Sequence, residues 1–350
     1  MTDSAGHARF SAANWPRRLL GSNLGRLALI TTLLFAGMSA AEPGLFLTRA
    51  NLSSMAFQFP EFALLALGVM VSMLTGGIDL SVIGLANLSA MLAVLVMRSL
   101  APNPHAIGAA PAIGLGIAAL LGVGAVGGLL NGLAIAGVGI PPILATLATG
   151  LIFSGIAVVL SGGAAVLGFP DAISVIGNGA LLSVPVPVLV FAAAAAGVAF
   201  LLNKMSFGLR VYLFGTNPMA SRFAGVDNFR ITLGAYLVSG LLASIAGLII
   251  AVRANSAKAD YGSSYLLLSI LIAVLGGTDP YGGFGKVSGL VLAVLSLQFL
   301  SSGLNMLQIS NFAVELTWGA LLLFVMVINT GGLSRLFGGR FIRRIERSKE

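Results

Sequence analysis

The sequence predicts an all-α protein that crosses a membrane about ten times. Three observations support this prediction: hydrophobic residues make up 57% of the 350 residues, charged residues make up only 9%, and the apolar residues form long runs. An ordinary soluble domain has about 25% charged residues, and so few charges could not cover so much apolar surface in water. The 46 glycines are typical of helices that pack closely in lipid.

Ten hydrophobic segments define the predicted helices. They cover residues 26–41, 60–75, 81–98, 112–136, 142–160, 185–202, 231–251, 264–276, 286–303 and 312–329. A straight helix needs about 20 residues to span the apolar core of a bilayer. The shorter segments therefore predict helices that glycine interrupts or that a polar turn extends.

The basic residues predict how the chain is oriented. An even number of spans places both termini on one side, and if that side is the cytoplasm, 15 of the 19 Lys and Arg residues lie inside and 4 outside. This positive-inside bias predicts cytoplasmic N and C termini. The net charge of +8 is therefore explained by the topology and by attraction to anionic lipid headgroups. This explanation excludes nucleic acid as the partner. We expect a single domain over 1–350, with cytoplasmic tails at 1–25 and 330–350.

The first apolar run could also belong to a signal peptide. Ser39, Ala40 and Ala41 follow it, and small residues at this place resemble a cleavage site. About 26 polar or mixed residues precede the run, which is long for the basic region of a signal peptide. We therefore expect an uncleaved first span.

A carboxylate stands between the second and third segments. Gly76 and Gly77 break one helix, and Asp79 follows two residues later. Asp79 could cap the start of the next helix, or it could serve transport, because a carboxylate at membrane depth is costly and is often functional. The other two acids of the apolar part, Glu61 and Glu315, are expected near segment ends.

Uncharged polar residues inside the apolar runs are candidates for a transport pathway. Gly124, Gly128 and Gly132 recur every four residues and predict close helix contact. Asn131 lies beside them, so it either bonds to a neighbouring helix or faces a polar cavity. Together with Asp79, the predicted pathway residues are Asn87, Asn131, Gln298 and Asn305.

A short capped helix is predicted within the polar loop 203–230. Asn217 is a favoured N-cap residue, Pro218 suits the first helical position, and Gly225 suits the stop, which predicts a helix over 218–224. Met219 and Phe223 are four residues apart and share one face, with Arg222 beside them. This face must lie on the membrane surface or on a cytoplasmic partner.

The sequence offers no catalytic or cofactor site. It contains no cysteine, and its two histidines, His7 and His105, lie in polar segments. The loop 275–288 resembles a phosphate-binding loop, but Pro280 and Val287 stand where that motif needs glycine and Ser or Thr. We therefore expect neither a metal nor a nucleotide site, and no enzyme activity.

Several short motifs together resemble the inner-membrane permeases of bacterial ATP-binding-cassette importers for monosaccharides, the ribose-type group. They are GGIDLSV at 76–82, GLLNG at 128–132, IPPI at 140–143, GTN at 215–217, YLVSGLLA at 236–243 and LGGT at 275–278. The resemblance implies a permease that works by alternating access in the bacterial inner membrane. Its implied partners are a second permease subunit, two cytoplasmic ATP-binding subunits and a periplasmic sugar-binding protein.

The resemblance also implies a role for the capped helix. The family's coupling loop, which contacts the ATP-binding subunits, corresponds to 215–226 here. The implied coupling residues are Gly215, Asn217, Pro218, Met219, Arg222, Phe223 and Gly225.

Two other transport functions remain open. One is a related importer permease for branched-chain amino acids or nucleosides. The other is an ion-coupled secondary transporter, a class that places ionisable groups near the bilayer midplane. The expected positions of Glu61, Asp79 and Glu315 near segment ends argue against the second.

Overall fold

The computed structural model describes residues 23–103 and 109–329. The helices in these ranges are α1 Asn23–Ala41, α2 Pro43–Phe46, α3 Arg49–Met73, α4 Val82–Leu100, α5 Ala110–Ala136, α6 Pro142–Ser161, α7 Ser174–Asn178, α8 Val186–Lys204, α9 Ser206–Thr216, α10 Pro218–Phe223, α11 Asn228–Arg253, α12 Tyr265–Leu275, α13 Val287–Met306 and α14 Asn311–Asn329. The described ranges also contain a short 3-10 helix, Asp171–Ile173, and four two-residue strands: β1 Val166–Leu167, β2 Ala180–Leu181, β3 Val184–Pro185 and β4 Ser256–Ala257.

Every one of the ten predicted segments contains a helix, so the all-α membrane class is confirmed. Within residues 23–103 and 109–329, eight helices are long and apolar enough to cross a membrane, and two further apolar stretches, Tyr265–Leu275 and Phe312–Val327, are shorter. The number of spans and the orientation stay predictions. Nine of the fifteen basic residues assigned to the cytoplasm, both histidines and nearly all of the two tails lie outside the described residues.

The start of α3 differs from the prediction. The hydrophobic run suggested a helix from residue 60, but α3 begins at Arg49, where Thr48 Oγ1 accepts a hydrogen bond from the Asn51 backbone N–H at 3.3 Å. Pro60 lies inside the helix. In lipid such a proline is tolerated when other groups satisfy the disturbed backbone, and Arg253 Nη1 donates to Phe57 O at 2.9 Å.

Because α3 is longer than predicted, the expectation that Glu61 lies near a segment end is wrong. Its side chain is not near a helix end but in the middle of α3, where it is buried. Arg253 Nη1 lies 2.5 Å from Glu61 Oε1, and Tyr265 Oη donates to Glu61 Oε2 at 3.0 Å. The carboxylate is therefore paired and hydrogen-bonded, as a charge in a low-dielectric site requires.

The glycine stripe joins α5 to α11, which confirms the predicted close helix contact. A Cβ atom added at Gly128 would lie 3.0 Å from the Cα of Leu237, and one at Gly132 would lie 2.9 Å from the Cα of Leu233. On the facing helix, a Cβ at Gly240 would lie 3.0 Å from the Cα of Gly128. The two backbones touch, and only glycine fits between them.

The chain segments between helices meet at two opposite ends of the bundle. At one end, Gly283 N donates to Leu74 O at 3.0 Å and Tyr212 Oη donates to Gly285 O at 2.8 Å. We call this the turn end, after the turn at residues 74–81 between α3 and α4. At the opposite end, β1 pairs antiparallel with β4, with Val166 opposite Ala257.

Candidate functional site

A buried polar network surrounds Asp79 at the turn end. Asp79 Oδ1 accepts from the Ser81 backbone N–H at 2.9 Å and from Ser81 Oγ at 2.6 Å. Asp79 Oδ2 accepts from Ser239 Oγ of α11 at 2.8 Å. The backbone N–H of Asp79 donates to Ser72 Oγ at 3.2 Å. The carboxylate thus holds Ser81, the residue immediately before α4, and it also ties the turn to α11. Asp79 is not the predicted helix cap, because Ser81 is the N-cap residue of α4 and no side chain caps its first turn.

Asn131 extends this network to two more helices. Its Nδ2 donates to Ser81 Oγ at 2.7 Å, and its Oδ1 accepts from Thr149 Oγ1 of α6 at 2.5 Å. The side chain is fully buried, so Asn131 acts here as a hydrogen-bonding contact between helices. Asp79 and Asn131 are the two predicted pathway residues that the fold brings together, with Ser81 between them.

One polar group in this region has no partner. Tyr236 Oη is buried and makes no hydrogen bond to any described residue, and a Cβ atom added at Gly77 would lie 2.5 Å from it. Sequence reasoning missed Tyr236, Ser239 and Thr149 as members of the site. Tyr236 and Ser239 could have been found from the sequence, because both lie on one face of α11 within the motif at 236–243.

A second polar feature is a non-helical segment, residues 254–264, between α11 and the short helix α12. Asn87 Nδ2 of α4 donates to Ala259 O and to Tyr261 O, both at 2.9 Å. The Ser256 and Tyr261 hydroxyls are 2.6 Å apart. Irregular backbone at membrane depth is tolerated where it is buried in protein or lines a cavity, and Asn87 supplies two of the hydrogen bonds that it needs.

The charged residues of this segment pair with each other. Lys258 Nζ lies 2.9 Å from Asp260 Oδ2. The hydrogen bond and the negative charge of Asp260 raise the pKa of Lys258 above its ordinary value.

Gln298 and Asn305 lie apart from both features. Gln298 is only 2% exposed, and its Nε2 has no hydrogen-bond partner in the part of the chain that the structure describes. Asn305 is exposed and lines a cavity of about 360 Å³ at the end of the bundle opposite the turn end. Asn51, Ser54, Gln58, Ser302 and Gln308 supply further amides and hydroxyls to this cavity.

The helix predicted in the loop 203–230 is present as α10, one residue shorter than expected. Asn217 Oδ1 accepts from the backbone N–H groups of Met219 and Ala220, each at 3.0 Å. At the other end Gly225 has φ +76°, and Val226 N donates to Ser221 O at 3.1 Å. These bonds form a Schellman stop, so the predicted cap and stop are confirmed.

The apolar face of α10 points away from the described part of the protein. Phe223 is 86% exposed and Met219 is 67% exposed, and Arg222 beside them is exposed as well. The opposite face is attached, because Ser221 Oγ donates to Asn228 Oδ1 and Asn228 Nδ2 donates to Pro218 O, both at 3.0 Å.

The helix α10 is joined to the turn at 74–81 through Gly215. Gly215 is buried, and a Cβ atom there would collide with Leu74 O and with the backbone N of Gly283. Three segments therefore touch at backbone distance: the end of α9, the turn and the loop 276–286. A displacement of α10 would reach the turn that carries Asp79 through these contacts.

Interrupted helices around buried polar groups are the construction of membrane transport proteins. A family model described as "Branched-chain amino acid transport system / permease component" matches residues 51–329. The chain belongs to this family of permease components, and it is a multi-pass protein of the inner membrane.

Curated relatives agree with this assignment. The ribose import permease protein RbsC of Bacillus subtilis (strain 168) is 33% identical over 315 residues, which are 89% of this chain and 92% of that protein. The D-allose transport system permease protein AlsC of Escherichia coli (strain K12) is 28% identical, over 86% and 89%. The autoinducer 2 import system permease protein LsrD of Yersinia enterocolitica is 30% identical, over 87% and 92%. No solved structure matches the chain significantly.

Proposed function

We propose that this chain is the transmembrane subunit of an ATP-driven, binding-protein-dependent importer that carries a monosaccharide or a related small polyol. The observation that carries the proposal is α10, a capped helix with an exposed apolar face. It follows closely after Gly215 of α9, whose backbone contacts the turn at 74–81. The relatives named above support the substrate class, because their names refer to ribose, D-allose and autoinducer 2.

The partners in this proposal are two cytoplasmic ATP-binding subunits, a second permease subunit and a periplasmic sugar-binding protein. ATP is hydrolysed on the separate subunits, and α10 receives the resulting movement. The exposed Phe223 and Met219 suit a groove in such a subunit, because burial of an aromatic side chain contributes strongly to an interface.

The polar groups of the bundle favour a neutral substrate. A zwitterionic amino acid needs charged partners, yet Glu61 is paired with Arg253 and Lys258 is paired with Asp260. Both oxygens of Asp79 accept hydrogen bonds from serines. The other polar side chains of the network around Asp79 and of the segment 254–264 are uncharged amides and hydroxyls, which can donate hydrogen bonds to sugar hydroxyls and accept them. A pathway must also bind its substrate weakly enough to release it.

The substrate pathway in this proposal passes the segment 254–264 and the amide of Asn87. Asn305 serves at the opening opposite the turn end, in the cavity that it lines. Asp79 and Asn131 are buried in the polar network at the turn end. In this proposal they hold together the helices that line the pathway.

Reconstitution tests the proposal directly. The permease is placed in vesicles with its ATP-binding subunits and is supplied with the purified binding protein. Uptake is then measured for a panel of sugars, for leucine and for a nucleoside. We expect sugar uptake that needs ATP and the binding protein and that persists when an ionophore collapses the ion gradients. Uptake of leucine or the nucleoside alone would favour a related importer, and uptake driven by an ion gradient without ATP would favour a secondary transporter.

A further inference from the structure

A cavity of about 860 Å³ lies between α1, α12, α13 and α14, away from the polar network and from the segment 254–264. Its walls are mostly aliphatic. Leu27, Ile30 and Leu34 line it from one face of α1, and Leu321, Phe324 and Val325 line it from one face of α14. Such walls cannot satisfy the hydroxyls of a sugar, so this cavity does not suit the transported substrate.

The cavity has cations at one end. Arg26 is in the first turn of α1, and Lys286 directly precedes α13, so both line the cavity at the turn end of the bundle. Both side chains are exposed. Lys286 takes part in none of the ion pairs found within residues 23–103 and 109–329. The basic-residue bias predicts that this end lies at the cytoplasmic leaflet.

We propose that this cavity binds an anionic phospholipid of the inner leaflet, with its phosphate at Lys286 and Arg26 and its acyl chains along α1 and α14. Basic pockets between membrane helices on the cytoplasmic side bind acidic headgroups. The volume lies near the upper end of the range of small-molecule sites, about 300–1,000 Å³. The chain's own termini are poor occupants, because 1–22 and 330–350 are both net basic and like charges repel at Lys286.

Binding at this site would act on the loop 276–286. Lys286 is its last residue, Gly285 O accepts from Tyr212 of α9, and Gly283 N donates to Leu74 O. A phosphate held by Lys286 would therefore brace the loop that contacts both α9 and the turn at 74–81. Lipid binding itself does not depend on the proposed function of the permease.

Native mass spectrometry of the purified permease tests the site. The protein is titrated with phosphatidylglycerol and, separately, with phosphatidylcholine of the same acyl chains, for wild type, Lys286→Gln and Lys204→Gln. Lys204 is the matched control, because it is an exposed lysine at the turn end of α8 and does not line the cavity. We expect Lys286→Gln to weaken retention of phosphatidylglycerol about fivefold, the factor that one basic residue near an anionic surface implies. Phosphatidylcholine retention and the Lys204→Gln variant should be unchanged.

A second variant separates the cavity from simple surface charge. Val325→Trp fills the cavity without changing a charge, and it should lower retention of phosphatidylglycerol to the level of Lys286→Gln. Size-exclusion chromatography establishes that each variant is monodisperse. Equal loss in Lys286→Gln and Lys204→Gln, or full retention in Val325→Trp, would overturn the proposal.

Discussion

Ser239 donates a hydrogen bond to Asp79, with its Oγ 2.8 Å from Oδ2, although 160 residues separate the two in sequence. The bond ties the turn at 74–81 to α11. The other carboxylate oxygen is held by Ser81, so neither oxygen is left without a donor. Asp79 is therefore placed to stabilise the meeting point of the helices, and this role can be separated experimentally from contact with substrate.

Two substitutions of Asp79 distinguish a stabilising role from a role in contacting substrate. Asp79→Ala leaves the Ser81 backbone N–H without an acceptor, and a buried unsatisfied group costs about 1–3 kcal/mol. Asp79→Asn keeps an acceptor for Ser81, and its amide can donate to the Ser239 hydroxyl. Thermal unfolding in detergent should show a clearly lower melting temperature for Asp79→Ala and a slightly lower one for Asp79→Asn. We expect the Asp79→Asn protein to keep its transport activity. An Asp79→Asn protein that is stable but inactive would show instead that the negative charge itself serves transport.

The contact between α5 and α11 should be sensitive to a single methyl group. Gly128→Ala places a Cβ against the backbone of α11, and overpacking of this kind costs about 1–3 kcal/mol. Gly122 lies on the same helix, and no described residue comes within 4 Å of a Cβ added there, so Gly122→Ala is the matched control. Thermal unfolding should show Gly128→Ala to be destabilised and Gly122→Ala to be unchanged or slightly more stable. Equal melting temperatures for the two variants would contradict this packing.

Asn87 should control the segment 254–264. Asn87→Ala removes both donors to Ala259 O and Tyr261 O, so the segment should open more often. Hydrogen exchange followed by mass spectrometry should show faster exchange over 254–264, together with reduced uptake. Asn305→Ala is the control for hydrogen exchange alone, because its side chain is exposed and bonds to neither carbonyl. Unchanged exchange in Asn87→Ala would mean that other contacts hold the segment.

Reporter fusions test the orientation. Fusions after Met205 and at the C terminus should report cytoplasm, and a fusion near Ala257 should report periplasm, because 15 of the 19 basic residues then lie inside. A fluorescent reporter active in the cytoplasm and a phosphatase active in the periplasm should give opposite signals at each site. A periplasmic signal from the loop 203–230 would require a different number of spans.

Local signals in the sequence were sufficient for much of this architecture. The ten apolar runs identified the helices, and Asn217, Pro218 and Gly225 identified α10, because caps and stops depend on neighbouring residues only. The start of α3 was missed because Pro60 and the polar residues before it resemble a helix boundary.

The partners within the site could not be predicted in the same way. Asp79 was recognised as unusual, but its bond to Ser239 depends on how α11 packs against the turn. Asn87 was expected to face a pathway, yet its partners are backbone carbonyls of a segment whose course no periodicity encodes. Sequence patterns therefore indicated which polar residues matter, and the tertiary fold decided what they bind.

If α10 couples ATP hydrolysis to transport, its exposed apolar face should be essential for binding the ATP-binding subunit. Phe223→Asp replaces an 86% exposed aromatic side chain, so it should leave the folded permease intact. In the complex it would put an unpaired charge into the contact, which costs several kcal/mol when buried. Phe223→Leu is the control that keeps an apolar group. We expect Phe223→Asp to insert normally and to lose co-purification with the ATP-binding subunit, while Phe223→Leu keeps most of it.

Gly225→Val tests the role of α10 by disturbing its C-terminal end. Gly225 has φ +76°, a conformation that a β-branched residue adopts only under strain, although an added Cβ there meets nothing within 4 Å. The substitution should therefore disturb the end of α10 without a steric clash elsewhere and should lower substrate-stimulated ATP hydrolysis. A helix that merely lay on the membrane surface would use the same apolar face, and it would show weaker membrane contact but normal binding of the ATP-binding subunit. Wild-type transport and co-purification in Phe223→Asp would exclude α10 as the coupling element.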